Sequence, residues 1–153
     1  MTDIRFYHLT RSTLEQALPK MLELTLERDG QARVILGSEA RRDAMNDHLW
    51  TYNDRVFLPH GTAREGYAAD QPIWLDTSEG RDNPADHLFY TDGSLPSAES
   101  DLEGIEVCAV LFNGADPQEL EAARACWKSL KDAGRKLTYW QQQERGWKKA
   151  AET

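Results

Sequence analysis

Arg124, Trp127, Lys128 and Lys131 recur at intervals of three and four in ARACWKSLKDAGRK, so on a helix turning ~100° per residue they share one side. On the same wheel Arg135 falls in the sector of Arg124, Lys128 and Lys131, while Trp127 and Leu120 lie at its edge. Guanidinium and ammonium groups bind carboxylates, and an indole beside them offers an apolar wall. Together they suit a short peptide that carries both negative charge and a hydrophobic side chain. The rival reading is a solvated helix face that complements its own C-terminal dipole, with Trp127 in the core. The residue pattern leaves both open.

A second group lies in LWTYNDRVFLPHG, residues 49–61, where Trp50, Tyr52 and Phe57 crowd around a turn. Aromatics there are core residues by default; they are also the types enriched at interface centres. Other chemistry is absent from the pattern. His8, His48, His60 and His87 are scattered, none paired at metal-ligand spacing. His60 in Leu-Pro-His-Gly has no accompanying Ser or Cys nucleophile signature and reads as a turn histidine bonded to local backbone. The first strand–helix turn, HLTRST, contains no glycine and so offers neither a dinucleotide fingerprint nor a phosphate loop. The expectation is no active site, no metal and no cofactor.

Charge separates along the chain. Residues 124–149 hold eight Lys/Arg against two Asp/Glu, whereas the preceding 123 residues hold ten against 23, within a net charge of −8. An acidic body argues against wholesale binding to a phosphate backbone. Cys108 and Cys126 lie outside any ligand spacing and read as reduced packing residues. No apolar run approaches the length of a membrane span and no signal pattern opens the chain, which predicts a cytoplasmic protein.

The elements that must carry these groups alternate. Strands are predicted at residues 4–9, 32–36, 56–58, 72–76, 105–112 and 137–142. Helices are predicted after Ser12 (with Glu15 as capping-box partner), after Ser38, and after the strong start Asp116-Pro117-Gln118-Glu119, the last stopped by Gly134. Pro19 predicts a kink or a fresh start in the first helix. Residues 78–104 read as an acidic surface loop or insertion with one apolar island at 87–91, a possible edge strand, and residues 143–153 as a polar tail. The order predicts one domain over residues 1–153, an α/β, Rossmann-like three-layer sandwich with a mostly parallel sheet and no nucleotide-binding loop.

Several stretches then resemble one family. FYHL, ALPKMLELTLERDGQARVIL, DHLWTYNDRVFLPHG, FNGADP and ARACWKSLKDAGRKLTYWQQ follow in the order found in the chi subunit of the bacterial DNA polymerase III holoenzyme. The resemblance implies a non-catalytic adaptor that binds the acidic, Phe-terminated tail of single-stranded-DNA-binding protein and links it to the clamp loader through psi or a substitute. Carried over by position, Arg124 would hold the tail's terminal carboxylate, Trp127 would wall the Phe pocket, Lys128 would meet the acids, and Asn113 would complete the pocket. Lys131 and Arg135 join from the wheel. Phe57, with Trp50 and the Leu58-Pro59-His60 turn, would match the psi-docking region. Association with single-stranded DNA would be indirect; a direct single-stranded nucleic-acid-binding module is the alternative from another class.

Overall fold

The computed structural model describes residues 2–53, 58–63, 66–67, 70–78 and 83–153. Its elements run β1 (Asp3–Leu9), α1 (Leu14–Glu27), β2 (Ala32–Ile35), α2 (Glu39–Thr51), β3 (Ile73–Asp76), β4 (His87–Tyr90), β5 (Val107–Asn113), α3 (Pro117–Asp132), β6 (Leu137–Gln142) and β7 (Trp147–Glu152). The seven strands form one sheet in the order β3-β2-β4-β5-β1-β6-β7. All pairings are parallel except β6–β7. The expected α/β Rossmann-like architecture is therefore what the chain adopts.

β5 shows why the centre is buried on both faces. VCAVLF is continuously apolar, as a parallel strand covered on two sides requires, and all six residues are buried. Its neighbour β1 alternates. Tyr7 and Leu9 pack in the layer of α1 and α2, while Ile4 and Phe6 pack with Ala123 and Leu130 of α3. Among the described residues the basic helix is thus the one helix on its face, joined there by Leu95, Leu102 and Ile105 of the segment before β5.

Several expectations change. The 87–91 island is not an edge strand: β4 sits between β2 and β5, with Phe89 opposite Val34 and Ala109. Four residues make a weak local signal, and only pairing on both sides defines them. Residues 143–153 are no free tail, because 147–152 return as β7 along β6. The cap of α1 is Thr13 with Gln16, whose side chains reciprocate, and not Ser12 with Glu15. The strand expected at 56–58 falls largely outside the described residues.

Pro19 neither ends nor restarts α1, which runs through it. The missing N–H deprives the Glu15 carbonyl of its helical donor. His48 Nε2 of α2 approaches that carbonyl at 2.7 Å and donates in its place. The β1–α1 turn has a similar replacement. Gln142 Oε1, from the end of β6, accepts from the main-chain N–H groups of Thr10 (3.2 Å), Arg11 (2.9 Å) and Ser12 (3.0 Å). Its Nε2 donates to Ser12 Oγ at 2.5 Å. In this position, where a nucleotide-binding sheet cradles a phosphate, the chain has placed its own amide.

Candidate peptide-binding face of α3

α3 begins where local chemistry demands. Asp116 caps the N-terminus by accepting from Gln118 N (2.9 Å) and Glu119 N (3.4 Å), and Pro117 opens the first turn. At the other end Gly134 adopts φ +80°, the left-handed conformation that reverses the chain into β6. Ala123 and Leu130 are buried between these ends, Leu120, Cys126 and Trp127 are half-buried, and Arg124, Lys128 and Lys131 are exposed. Burial pushes the Cys126 thiol up to about 11, and its Sγ faces the Pro96 carbonyl at 3.3 Å.

Trp127 stands edge-on to two rings, Phe6 at 5.4 Å and Tyr139 at 5.8 Å between centroids. It is neither a free surface indole nor a fully enclosed one. Tyr139 continues the ledge, with its hydroxyl 2.8 Å from His8 Nδ1, and the His8 ring stacks on Phe112 at 4.9 Å. Burial first, and then the neighbouring charge of Arg124, hold the His8 imidazole below its usual value. Burial raises the Tyr139 phenol, which keeps its proton and shares a hydrogen bond with the imidazole. A Cβ on Gly114 would overlap the His8 ring, which makes that glycine a condition of the arrangement. The result is an aromatic ledge, Trp127–Tyr139–His8–Phe112, with Arg124 close enough to act electrostatically on both His8 and Tyr139.

Of the residues expected here, Arg124, Trp127, Lys128 and Lys131 come together on one helix. Arg135 does not extend the stripe as the wheel suggested, because α3 ends at Asp132 and the wheel has no meaning beyond the cap. Its Nη2 donates to the carbonyls of Ala98 (3.3 Å) and Ser100 (3.4 Å), pinning the segment before β5. Asn113 ends β5, and its Oδ1 accepts from Ala115 N at 2.9 Å. It lines a crevice of about 290 Å³ with Leu9, Glu15, Arg41, Asp92 and Glu119, a different hollow from the α3 face. That crevice carries its own ion pairs, Arg41 to Asp92 at 2.9 Å and to Glu15 at 2.8 Å.

Sequence spacing leaves His8 among the scattered histidines and gives no sign of Tyr139 at this site. FYHL and LTYW read as strands, and only the register Phe6–Tyr139 and His8–Phe112 brings their side chains to Trp127.

The second aromatic group is mostly interior. Leu58 and His60 are each 2% exposed, which corrects their expected place in a docking surface. His60 faces Leu58 O (2.6 Å) and Asn46 O (3.1 Å), as a backbone-bonding turn histidine should. Trp50 lies tilted against it, 4.1 Å between ring centroids, yet stays 46% exposed, and Pro59 is half-buried. Phe57 lies outside the described residues. Among the described residues Asp86, His87 and Glu106 place ligand-type atoms within 4.8 Å of one another. Asp86 Oδ1 there accepts from Gln31 N and His87 Nδ1, each at 2.8 Å, and ties β2 to β4. No helix among the described residues is long and apolar enough to cross a membrane.

Three comparisons bear on identity. The C-terminal domain of the DEAD-box protein Dbp5 superposes with a TM-score of 0.53, covering 92% of this chain and 90% of that one at 12% identity, a likeness of fold alone. A curated relative, "Probable DNA polymerase III subunit chi" of Rickettsia prowazekii (strain Madrid E), is 24% identical over 75 residues, 49% of this chain. The match spans 46% of that relative's length. The family profile described as DNA polymerase III chi subunit, HolC, matches residues 1–138, from β1 into β6, and so includes the whole of α3 and its basic stripe. The chain belongs to the DNA polymerase III chi subunit family.

Proposed function

We propose that this chain is an accessory subunit with no active site of its own, which holds the acidic C-terminal tail of a single-stranded-DNA-binding protein on α3 and links it to the clamp loader. The observation that supports this reading is the juxtaposition of exposed Arg124, Lys128 and Lys131 with the half-buried Trp127 ring on an otherwise acidic chain. In this reading Arg124 takes the terminal carboxylate, Trp127 and Tyr139 wall the terminal Phe, and Lys128 and Lys131 meet the acids. Arg135 acts by position, through the 98–100 carbonyls. The loader contact, psi or a substitute, uses the exposed Trp50 with Pro59. The protein works in the cytoplasm without a cofactor and meets single-stranded DNA through its partner.

Titration with an acidic synthetic peptide ending in Phe, with the same peptide lacking Phe, and with an oligo-dT tests this at two ionic strengths. Arg124→Ala or Lys128→Ala should each weaken peptide binding about tenfold or more, since a charge-assisted contact contributes ~1.5–3 kcal/mol. Both should flatten the salt dependence, whereas Trp127→Ala should weaken binding and leave that dependence in place. Equal binding of the Phe-less peptide, or tighter binding of the oligonucleotide, overturns the reading.

A further inference from the structure

A second basic and apolar surface lies on the opposite face of the sheet. Lys20, Leu24 and Arg28 follow one another at intervals of four, so they form one ridge along α1 and past its end. Leu24 is 50% exposed, among the few large apolar side chains left so open. Two hollows meet beneath it. One, of about 450 Å³, runs between α1 and the β6–β7 hairpin and is walled by Arg11, Lys20, Met21, Leu24, Gln142 and Trp147. The other, of about 90 Å³, lies toward the far end of α1 and is lined by Arg5, Tyr7, Met21, Leu24, Arg28 and Phe89 among others. Met21 and Leu24 belong to both, so the two form one continuous groove with an aliphatic middle.

Its charge is one-sided. Arg11, Lys20 and Arg28 make no ion pair among the described residues; Arg5 is taken by Asp3 at 2.8 Å, and Glu144 is the one acid in the walls. Three cations with no ion pair among the described residues thus surround an exposed leucine on a chain of net charge −8.

We propose that this groove docks an acidic amphipathic helix of another protein, at a site separate from the α3 face. Charge complementarity selects an acidic partner, and the aliphatic middle selects one with apolar side chains. The ridge of residues four apart selects a helix, because such rows pack into the matching rows of a partner helix. Lys20 and Arg28 stand ~12 Å apart along α1, the span of about eight residues, which sets the spacing of the partner's acids around its central leucines. Single-stranded nucleic acid fits less well. Of the rings that line the groove, Tyr7 and Trp147 are locked edge-to-face at 5.1 Å, Phe89 is buried and His87 is held by Asp86, while the aliphatic middle of Met21 and Leu24 offers no plane for a base.

The test uses the full chain and a fluorescein-labelled, amide-capped helical peptide with two glutamates about eight residues apart and leucines between them. The amide cap and the missing terminal Phe remove what the α3 site is proposed to read. Anisotropy should show saturable binding that Lys20→Glu with Arg28→Glu weakens at least about tenfold. Leu24→Asp should do the same, and Arg124→Ala should leave it unchanged. Replacing the peptide's glutamates by lysine should abolish binding. No saturable binding, equal binding of the lysine peptide, loss through Arg124→Ala, or self-association of the chain through Leu24 would each overturn the proposal. So would oligo-dT binding that depends on Lys20 and Arg28. Failure of the tail reading would not touch this result, because the probe and the variants are different.

Discussion

His48 supplies the hydrogen bond that Pro19 withholds: its Nε2 sits 2.7 Å from the Glu15 carbonyl, the acceptor that a residue with an N–H at position 19 would satisfy. α1 and α2 are thereby joined through a defect in one of them. His48→Ala should cost about 1–3 kcal/mol, toward the low end because the site is only partly buried. In a Pro19→Ala background the helix regains its own donor, and the cost of losing His48 should shrink. Urea unfolding of the four proteins in the cycle measures this, with a coupling of about 0.5–1.5 kcal/mol expected. Purely additive costs would mean that the contact contributes nothing beyond its two separate parts.

Gly114→Ala should disturb the α3 ledge from beneath. The added methyl meets the His8 ring and lies 2.9 Å from the Leu9 carbonyl, so the ring must move and take its contacts with Phe112 and Tyr139 along. Overpacking of this kind costs about 1–3 kcal/mol. His8→Ala in the same chain should recover part of that loss, although His8→Ala alone is destabilising. Thermal unfolding of the pair and of each single variant decides it.

Acidification should find His8 first. Its folded-state value is lowered from 6.5, chiefly by burial, so the unfolded chain binds a proton more readily. Stability from this group is complete above its unfolded value and is lost as pH falls through that value toward the lower folded one. Glu119 runs the other way. Burial raises its carboxyl above 4.5, and its contribution is lost as pH rises through the raised value. Comparing His8→Gln with the parent separates the two. The variant's unfolding free energy should change less between about pH 7 and pH 5.

Nucleotides should leave the melting temperature unchanged, because the β1–α1 turn already spends three N–H groups on Gln142. Gln142→Ala should cost about 0.5–1.5 kcal/mol, moderated by solvent around an exposed turn. Sulfate should then stabilise this variant more than the parent, since the vacated N–H groups point at one spot. A parent that responds to ATP through this turn would contradict the account.

Legibility followed the range of the interactions. The start of α3 was readable because Asp116, Pro117 and Gly134 act within a few residues of themselves, and Ser38 likewise caps α2. The basic stripe was readable for the same reason, up to the cap and no further, which is where Arg135 went astray. β4 was half-readable: HLFY looks like a strand, but its place between β2 and β5 depends on partners dozens of residues away. The choice of Thr13 over Ser12 as cap turns on a Gln142 amide 130 residues distant that holds the Ser12 hydroxyl. His8 beside Tyr139 belongs to that class too, a contact made by register across parallel strands.

The crossover that carries the basic ledge has a mechanical side. α3 joins β5 to β6, and these two strands flank β1, paired with it over Asp3–Leu9 on one side and Ile4–His8 on the other. A pull on the helix therefore enters the sheet at two interior strands at once. Drawn along the strand direction, their hydrogen bonds to β1 bear the force together, in shear, and cannot be peeled open one after another as at a free edge. The short edge strands β3 and β7 lie outside that line of force. Tension through this face would be met by the best-connected part of the molecule, while β7 could peel from β6 without breaking the β5–β1–β6 ladder that carries α3.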